Sequence, residues 1–273
     1  MKTLKLIRTA AAVIAMVAGY AQAAVVTVWD VTDTATFVAA SVLPSVPGVT
    51  LVSPTSLRWG DPVTPGLLSG LDISNPAGAV VTPLGVLTPT IGVSHLNFPI
   101  FAPTLTSVDI LAILQLTPNT PPGLPGLPPG DILFKIKFLE TPNAGNEAGI
   151  CADGGPVGSG INSAGCADIF VIDSEEANFF FYYDTDGPGG DDAVLYSVSF
   201  FEMTSGFNTL PNAACLSAGV AIGCRGFETA ENAVTAVRFG ILINAVVPEP
   251  DSIALFGLAL AAMGWVGRRR RQQ

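Results

Sequence analysis

Ser94, His95 and Asn97 are the residues of this chain best placed to do chemistry. His95 is the only histidine among 273 residues, so it is the one ordinary side chain that titrates near neutral pH. On a strand, His95 and Asn97 would share a face. They could contact a ligand or act as a general base, or the imidazole could hydrogen-bond a neighbouring strand or turn. We expect the structural role, because the sequence has no Gly-x-Ser-x-Gly turn to present a serine nucleophile.

Four aspartates crowd one short glycine-rich stretch; they are Asp184, Asp186, Asp191 and Asp192. Alternating carboxylates can surround a hard cation such as Ca²⁺. The stretch is shorter than an EF-hand loop, and Leu195 stands where that loop carries its glutamate. We expect a solvated hairpin turn, with calcium as the alternative and no other cofactor. The preceding aromatic run, residues 179–183, is expected to serve core and edge packing rather than a sugar-binding platform.

The four cysteines all lie in the second half of the chain; they are Cys151, Cys166, Cys215 and Cys224. An even number in an exported chain predicts two disulfides, and three connectivities are open. We favour Cys151–Cys166 with Cys215–Cys224, because each pair lies within one Gly/Ala-rich loop. Their spacing does not fit a zinc ribbon, and the single histidine cannot complete a zinc site.

Both ends of the chain have the composition of targeting segments. At the N-terminus, three basic residues precede an apolar run and the small-x-small site Ala21-Gln22-Ala23, which predicts a signal peptide over 1–23. Near the C-terminus an apolar run, residues 253–266, is short for a permanent anchor, because a spanning helix needs roughly 20 residues. We predict a transmembrane helix over about 252–267. The arginines behind it should remain cytoplasmic.

The C-terminal segment, 247–273, resembles the PEP-CTERM sorting signal of Gram-negative bacteria. The resemblance rests on a short motif, a hydrophobic helix and a basic end; its residues are Val247, Pro248, Glu249, Pro250, Arg268, Arg269, Arg270 and Arg271. It implies export through the Sec machinery, an inner-membrane precursor and cleavage by an exosortase, a membrane-embedded transpeptidase-like enzyme. Proteins of this type are associated with the cell surface, exopolysaccharide and biofilm matrix. A plain tail anchor is the alternative.

The segment between the two ends, 24–246, is expected to form one extracellular domain. Without the ends it has five basic and twenty acidic side chains, a formal net charge of −15. That charge excludes nucleic acid as a partner, because a polyanion would be repelled. It suits solubility outside the cell.

Short β-rich runs separated by Gly/Pro turns predict an all-β fold, an antiparallel β-sandwich. Asp131–Glu140 is the clearest strand, because its apolar and charged residues alternate. Further strands are expected at 25–29, 56–59, 67–73, 104–116, 169–172, 178–183, 194–203 and 233–244. The proline-rich segment 117–130 is expected to be a stiff loop rather than a central strand. A linker between two lobes is the alternative reading of that segment.

Two further segments resemble the THxN family of PEP-CTERM proteins. An aromatic-Gly-x-Pro turn is followed about 35 residues later by a Thr-His-x-Asn-x-Pro-Ile segment, in which Ser94 here replaces the threonine. The matching residues are Arg58, Trp59, Gly60, Pro62, Ser94, His95, Asn97, Pro99 and Ile100. Residues 224–229 also fit. The resemblance implies a β-rich extracellular domain and no activity.

These observations predict an exported, exosortase-processed surface or matrix protein that is not an enzyme. A calcium- or carbohydrate-binding module of the matrix is the alternative, and a secreted hydrolase is a more distant one. Exopolysaccharide is a candidate partner.

Overall fold

The computed structural model describes residues 24–173, 178–186 and 193–246. The chain divides into two compact units. The larger comprises Val26–Phe180 and Ser197–Asn244. The smaller comprises Phe181–Tyr196 and both chain ends. All four cysteines and all residues of the THxN resemblance lie in the larger unit.

The fold is all-β, as predicted. The first sheet has seven strands in the order β14-β15-β11-β10-β9-β1-β6. Its strands are β1 (Val28–Phe37), β6 (Val80–Pro83), β9 (Ser107–Thr120), β10 (Gly130–Leu139), β11 (Asp168–Ile172), β14 (Asn208–Thr209) and β15 (Arg225–Thr229). Neighbouring strands are antiparallel. Along β9, every second residue from Val108 to Leu116 is buried, because successive side chains of a strand point to opposite faces.

The second sheet also has seven strands, in the order β12-β13-β16-β7-β5-β3-β2. Its strands are β2 (Val49–Ser53), β3 (Ser56–Trp59), β5 (Ser69–Ser74), β7 (Thr88–Asn97), β12 (Asn178–Tyr183), β13 (Val194–Glu202) and β16 (Ala233–Val246). A two-stranded ladder joins β4 (Asp61–Pro62) to β8 (Ile100–Phe101). In the described part of the chain there is also one short helix, α1 (Asn212–Ser217), and two 3₁₀ turns at Ala39–Ser41 and Gly160–Asn162.

The hydrophobic core of the larger unit lies between the inner faces of the two sheets. Side chains from both contribute, including Ala35, Val108 and Phe170 from the first sheet and Leu57 and Ile91 from the second. Such burial is the main favourable contribution to folding, about 25 cal/mol for each Å² of apolar surface removed from water. This arrangement is the predicted antiparallel sandwich.

A smaller core covers the outer face of β11. Ile169 and Val171 pack there against Ala214 and Cys215 of α1. They also pack against Leu210, which lies two residues before the helix begins. Both faces of β11 are therefore covered, and four of its five residues are buried.

The proline-rich segment differs in part from the prediction. β9 continues through Pro118 to Thr120, so the loop is shorter than 117–130. The β10 register ends at Leu114, opposite Gly130. Beyond that point the only ladder partner of β9 among the described strands is β1, and the loop contributes a backbone hydrogen bond, from the Leu127 N–H to the Leu116 carbonyl at 2.8 Å. Pro118 therefore lies beyond the β10 ladder, where a missing N–H is tolerated.

Candidate functional site

The two segments of the THxN resemblance meet in space. Gly60 follows β3 with φ of +93°, a conformation that favours glycine, and a Cβ there would overlap the Ile100 side chain. Pro62 pairs with Ile100 in the β4–β8 ladder. The Val63 N–H donates to the Pro99 carbonyl at 3.1 Å. The glycine and prolines of both segments therefore form one close contact between two loops.

His95 lies at the centre of a buried aromatic contact. Its ring is stacked on Trp59, with centroids 5.9 Å apart and planes 9° apart. Phe138 from the opposite sheet meets both rings edge-on, at 4.8 Å from Trp59 and 4.9 Å from His95. Trp59 reaches across β5 above Ser69, whose side chain is small. Trp59 and His95 have no solvent-exposed surface.

Polar groups from the first sheet close around these rings. The Trp59 Nε1–H donates to Glu140 Oε2 at 2.8 Å. Asn97 Nδ2 donates to the Thr229 carbonyl at 2.9 Å. Asp168 lies opposite Thr229 in the β11–β15 register and has no exposed surface. We call Trp59, His95, Asn97, Glu140, Asp168 and Thr229 the motif cluster; it connects the two sheets.

Burial controls the charge state of the motif cluster. Desolvation lowers the pKa of His95 to about 3, so the imidazole is neutral near pH 7. Desolvation, together with the neighbouring Glu140, raises the pKa of Asp168 well above its usual value. The pKa of Glu140 is raised to about 7, chiefly by burial and against the hydrogen bond from Trp59. Asp168 Oδ2 lies 3.8 Å from His95 Nε2, but a neutral imidazole forms no ion pair, and the distance is too long for a hydrogen bond.

The His95 side chain is held by aromatic packing in the core. Both ring nitrogens lack a hydrogen-bond partner, so the expected hydrogen bond to a neighbouring strand or turn is wrong, and ring packing holds the side chain instead. Ser94 alternates with His95 along β7 and so faces the other side of the sheet. Ser94 therefore does not form a Ser-His pair with His95.

Among the residues of the THxN resemblance, Arg58 forms a salt bridge on the outer face of its sheet and not a contact in the core. Its guanidinium forms two hydrogen bonds of 2.8 Å to the Asp72 carboxylate on β5, and both side chains are partly exposed. Burial alone would raise the pKa of Asp72, but the hydrogen bonds from Arg58 and Ser56 bring it below its usual value. The pair joins β3 to β5 on the outer face.

Glu140 and Asp168 are the site residues that sequence reasoning missed. Glu140 is the last residue of the predicted strand 131–140, and Asp168 immediately precedes the predicted strand 169–172. No local pattern marks either one, because Asp168 approaches His95 and Glu140 approaches Trp59 only when the two sheets pack together. Thr229 could have been recognised from the sequence, because it is the last residue of the segment 224–229 that also resembles the THxN family.

Both disulfides favoured by the sequence are present. Cys151 is bonded to Cys166, and Cys215 is bonded to Cys224. The first closes a loop between β10 and β11, where Thr141 donates its backbone N–H to Asp168 at 2.8 Å. The second joins α1 to the residue before β15.

The acidic turn is described only in its first half. The Asp186 N–H donates to Asp184 Oδ1 at 2.8 Å, as in a hydrogen-bonded turn. Asp191 and Asp192 lie outside the described residues. Within the described ranges, no group of three His, Cys, Asp or Glu side chains is arranged to hold a metal ion. The calcium alternative therefore stays a prediction.

The aromatic run before this turn is only partly packed. Along β12 the exposed and half-buried residues alternate, and Tyr183 is buried. Phe180 and Tyr182 are 66% and 68% exposed. The expected core and edge packing is therefore wrong for Phe180 and Tyr182, whose rings are largely exposed.

The comparison with known protein families decides the nature of the C-terminal segment. Residues 246–271 match the PEP-CTERM protein-sorting motif. The PEP-CTERM motif implies export, a membrane-anchored precursor and processing by an exosortase. No curated protein matches the chain.

Apart from Val246, the match covers residues that the structure does not describe. The sorting residues from Val247 to Arg271, the predicted transmembrane helix and the signal peptide over 1–23 all lie outside the described residues. In the described ranges, none of the helices is long and apolar enough to cross a membrane.

Proposed function

We propose that this chain is a non-enzymatic protein of the cell surface or extracellular matrix, delivered there by exosortase processing. The PEP-CTERM motif at residues 246–271 carries the proposal. In the proposed sequence of events, Sec export and removal of 1–23 come first, and the apolar helix then holds the precursor in the inner membrane. Cleavage at the motif leaves the β-sandwich at the surface, in contact with exopolysaccharide.

The chemistry of the folded body supports an extracellular destination. Two disulfides suit an oxidising compartment, where such bonds persist. The excess of acidic side chains gives solubility without attraction to nucleic acid. Each disulfide closes a short loop, and such a bond contributes about 2–4 kcal/mol to stability.

The burial of His95 supports a non-enzymatic role. A general base must reach the proton of a bound substrate, and this ring is fully buried behind Trp59 and Phe138. Its neutral state and packed neighbours suit a residue that joins two sheets. The secreted hydrolase is accordingly the weaker candidate.

Calcium or carbohydrate binding is the second candidate function. Asp184 and Asp186 lie in an exposed turn with two further aspartates close in sequence, where carboxylates at neutral pH repel one another. A bound cation would relieve that repulsion and raise the melting temperature by mass action. Thermal unfolding with and without millimolar calcium tests this candidate. Asp184→Asn with Asp186→Asn should abolish any rise, and an unchanged melting temperature in the wild-type protein would reject calcium.

Cell fractionation tests the main proposal. We expect wild-type protein to leave the inner membrane of a host that carries an exosortase. Alanine at Pro248, Glu249 and Pro250 should keep uncleaved protein in that membrane. Alanine at Pro125, Pro128 and Pro129 is the matched control, because it removes prolines outside the motif and should not alter the location. Equal distribution of wild type and motif variant would refute processing at this site.

A further inference from the structure

An apolar cleft opens in the larger unit, on the same strands as the motif cluster but towards their other ends. Its volume is about 580 Å³, and small-molecule sites occupy roughly 300–1,000 Å³. Both sheets line it, and it reaches Ile91, Val93 and Ile110 of the hydrophobic core. A ligand that enters this far would lose most of its contact with water.

The lining favours a ligand with an apolar body. Five phenylalanines line the cleft; they are Phe134, Phe200, Phe201, Phe207 and Phe239. Phe201 is 46% exposed and Ile222 is 63% exposed, so apolar surface remains in contact with water. Covering that surface with an apolar chain would be favourable.

Arg225 places a cation beside this apolar surface. It lies on the inner face of β15, two residues from Phe227 and opposite Ile172 of β11. Its guanidinium carbon is 5.2 Å from the Phe207 ring centroid. Among the described residues, Arg225 forms no salt bridge. The side chain is exposed, so its N–H groups are available to a carboxylate.

Of the described residues that line the cleft, Glu202 and Asp173 are acidic, and neither forms a salt bridge with Arg225. Glu202 accepts hydrogen bonds from the backbone N–H groups of the turn that follows it, Ser205 at 2.9 Å and Gly206 at 3.3 Å. The Glu202 carboxylate is therefore already hydrogen-bonded within that turn. Asp173 is exposed and follows β11, and its charge should weaken the binding of any anion nearby.

We propose that the cleft binds an amphipathic monoanion of the fatty-acid class. The acyl chain lies among the phenylalanines, and the carboxylate lies on the Arg225 guanidinium. The Cys215–Cys224 disulfide fixes one wall, since Cys224 and the preceding residues from Val220 line the cleft. This ligand site does not rest on exosortase processing.

Calorimetric titration with three decyl compounds tests the site. The disulfide-bonded protein from the exporting cell is titrated with decanoate, decanol and decyltrimethylammonium, each below its micellar concentration. We expect decanoate to bind about tenfold more tightly than decanol, because a charge-assisted hydrogen bond is among the stronger polar contacts. Decyltrimethylammonium should bind no more tightly than decanol.

Charge variants then locate the head group. Arg225→Gln should reduce decanoate affinity to that of decanol, whereas Asp173→Asn should increase decanoate affinity. Arg238→Gln is the matched control, because Arg238 is exposed on β16 and does not line the cleft. Should Arg225→Gln fail to fold, the three ligands and Asp173→Asn still decide. No binding of any decyl compound, equal binding of decanoate and decanol, or unchanged decanoate affinity in folded Arg225→Gln would overturn the proposal.

Discussion

The two ends of the same strands differ in what they enclose. On β7, Ile91 and Val93 line the cleft, whereas His95 and Asn97 belong to the motif cluster. β15 likewise carries Arg225 at the cleft and Thr229 at the cluster. One end is filled by interlocking rings and hydrogen bonds, and the other is open, apolar and bordered by an available cation. The Trp59 and His95 segments, which are recognisable in the sequence, pack in the core, whereas most residues that line the open cleft have no local signature, apart from Cys224 and Arg225 of the segment 224–229.

The largest effect should come from removing Trp59. Trp59→Ala would leave a cavity beside His95 and Phe138 and remove the donor to Glu140. We expect a loss of about 3–5 kcal/mol in the free energy of unfolding. Urea denaturation measures it. Trp59→Phe separates the two causes, because it retains a ring and removes only the indole and its N–H. A loss below about 1 kcal/mol for Trp59→Ala would contradict the role given to this residue.

Removing one disulfide at a time should show that only the Cys215–Cys224 bond supports the cleft. Cys215→Ala with Cys224→Ala should cost about 2–4 kcal/mol of stability and should loosen the wall of the cleft. Cys151→Ala with Cys166→Ala should cost a similar amount and leave the cleft unchanged. Denaturation together with hydrogen exchange at residues 220–224 measures both effects. Equal protection of those residues in the two variants would show that the second bond does not support the cleft.

The motif cluster should make stability depend on pH. Burial raises the pKa of Glu140 to about 7 from 4.5, so the folded state holds this proton more tightly than the unfolded state. The contribution of Glu140 to stability is therefore fully present below about pH 4.5 and is lost as pH rises towards 7. Asp33, with its pKa raised by burial to about 6, acts in the same direction. His95 has the opposite effect, because burial lowers its pKa from 6.5 to about 3. Its contribution therefore decreases the stability of the folded state as pH falls below 6.5.

Glu140→Gln isolates this contribution. The amide can still accept from Trp59, but it does not ionise. The difference in unfolding free energy between pH 5 and pH 8 should shrink by on the order of 2 kcal/mol. Glu147→Gln, at an exposed position, is the control and should not alter the difference. An identical pH profile for wild type and Glu140→Gln would mean that Glu140 titrates normally in the folded state.

The smallest effect is expected on the outer face. Arg58→Gln breaks the paired contact to Asp72, but both side chains are partly exposed and screened by water. We expect a loss of about 0.2–1 kcal/mol, decreasing at high salt. Denaturation at two salt concentrations measures it. A loss comparable to that of Trp59→Ala would show that the exposed and buried members of the resemblance contribute equally.

Alternating burial did not by itself decide which strands the sequence predicted, because most of Val28–Phe37 was missed although it alternates, and 169–172 was predicted although it does not. Asp131–Glu140 was found because charged and apolar residues alternate along it, and Gly130–Leu139 forms β10. β7 was missed although it carries His95, because it is central in its sheet, with both faces largely buried and no alternation of charge. β7 also contains Pro89 and Gly92, residue types that are uncommon in strands. The helix α1 was missed because six residues give too short a pattern.

The candidate site was predictable only where its residues are close in sequence. The turn at Gly60 and the His95–Asn97 pair could be recognised from residue type and spacing. Their partners could not, because sheet packing brings Asp168 to His95 and Glu140 to Trp59 from distant parts of the chain. The cleft depends on the same packing and on the Cys215–Cys224 bond.

Exosortase processing is tested by the intact mass of the protein recovered from the cell surface. We expect a species that lacks residues 1–23 and the C-terminal arginines Arg268–Arg271, and that is lighter by four hydrogens for two disulfides. Mature surface protein that retains those arginines would contradict exosortase processing.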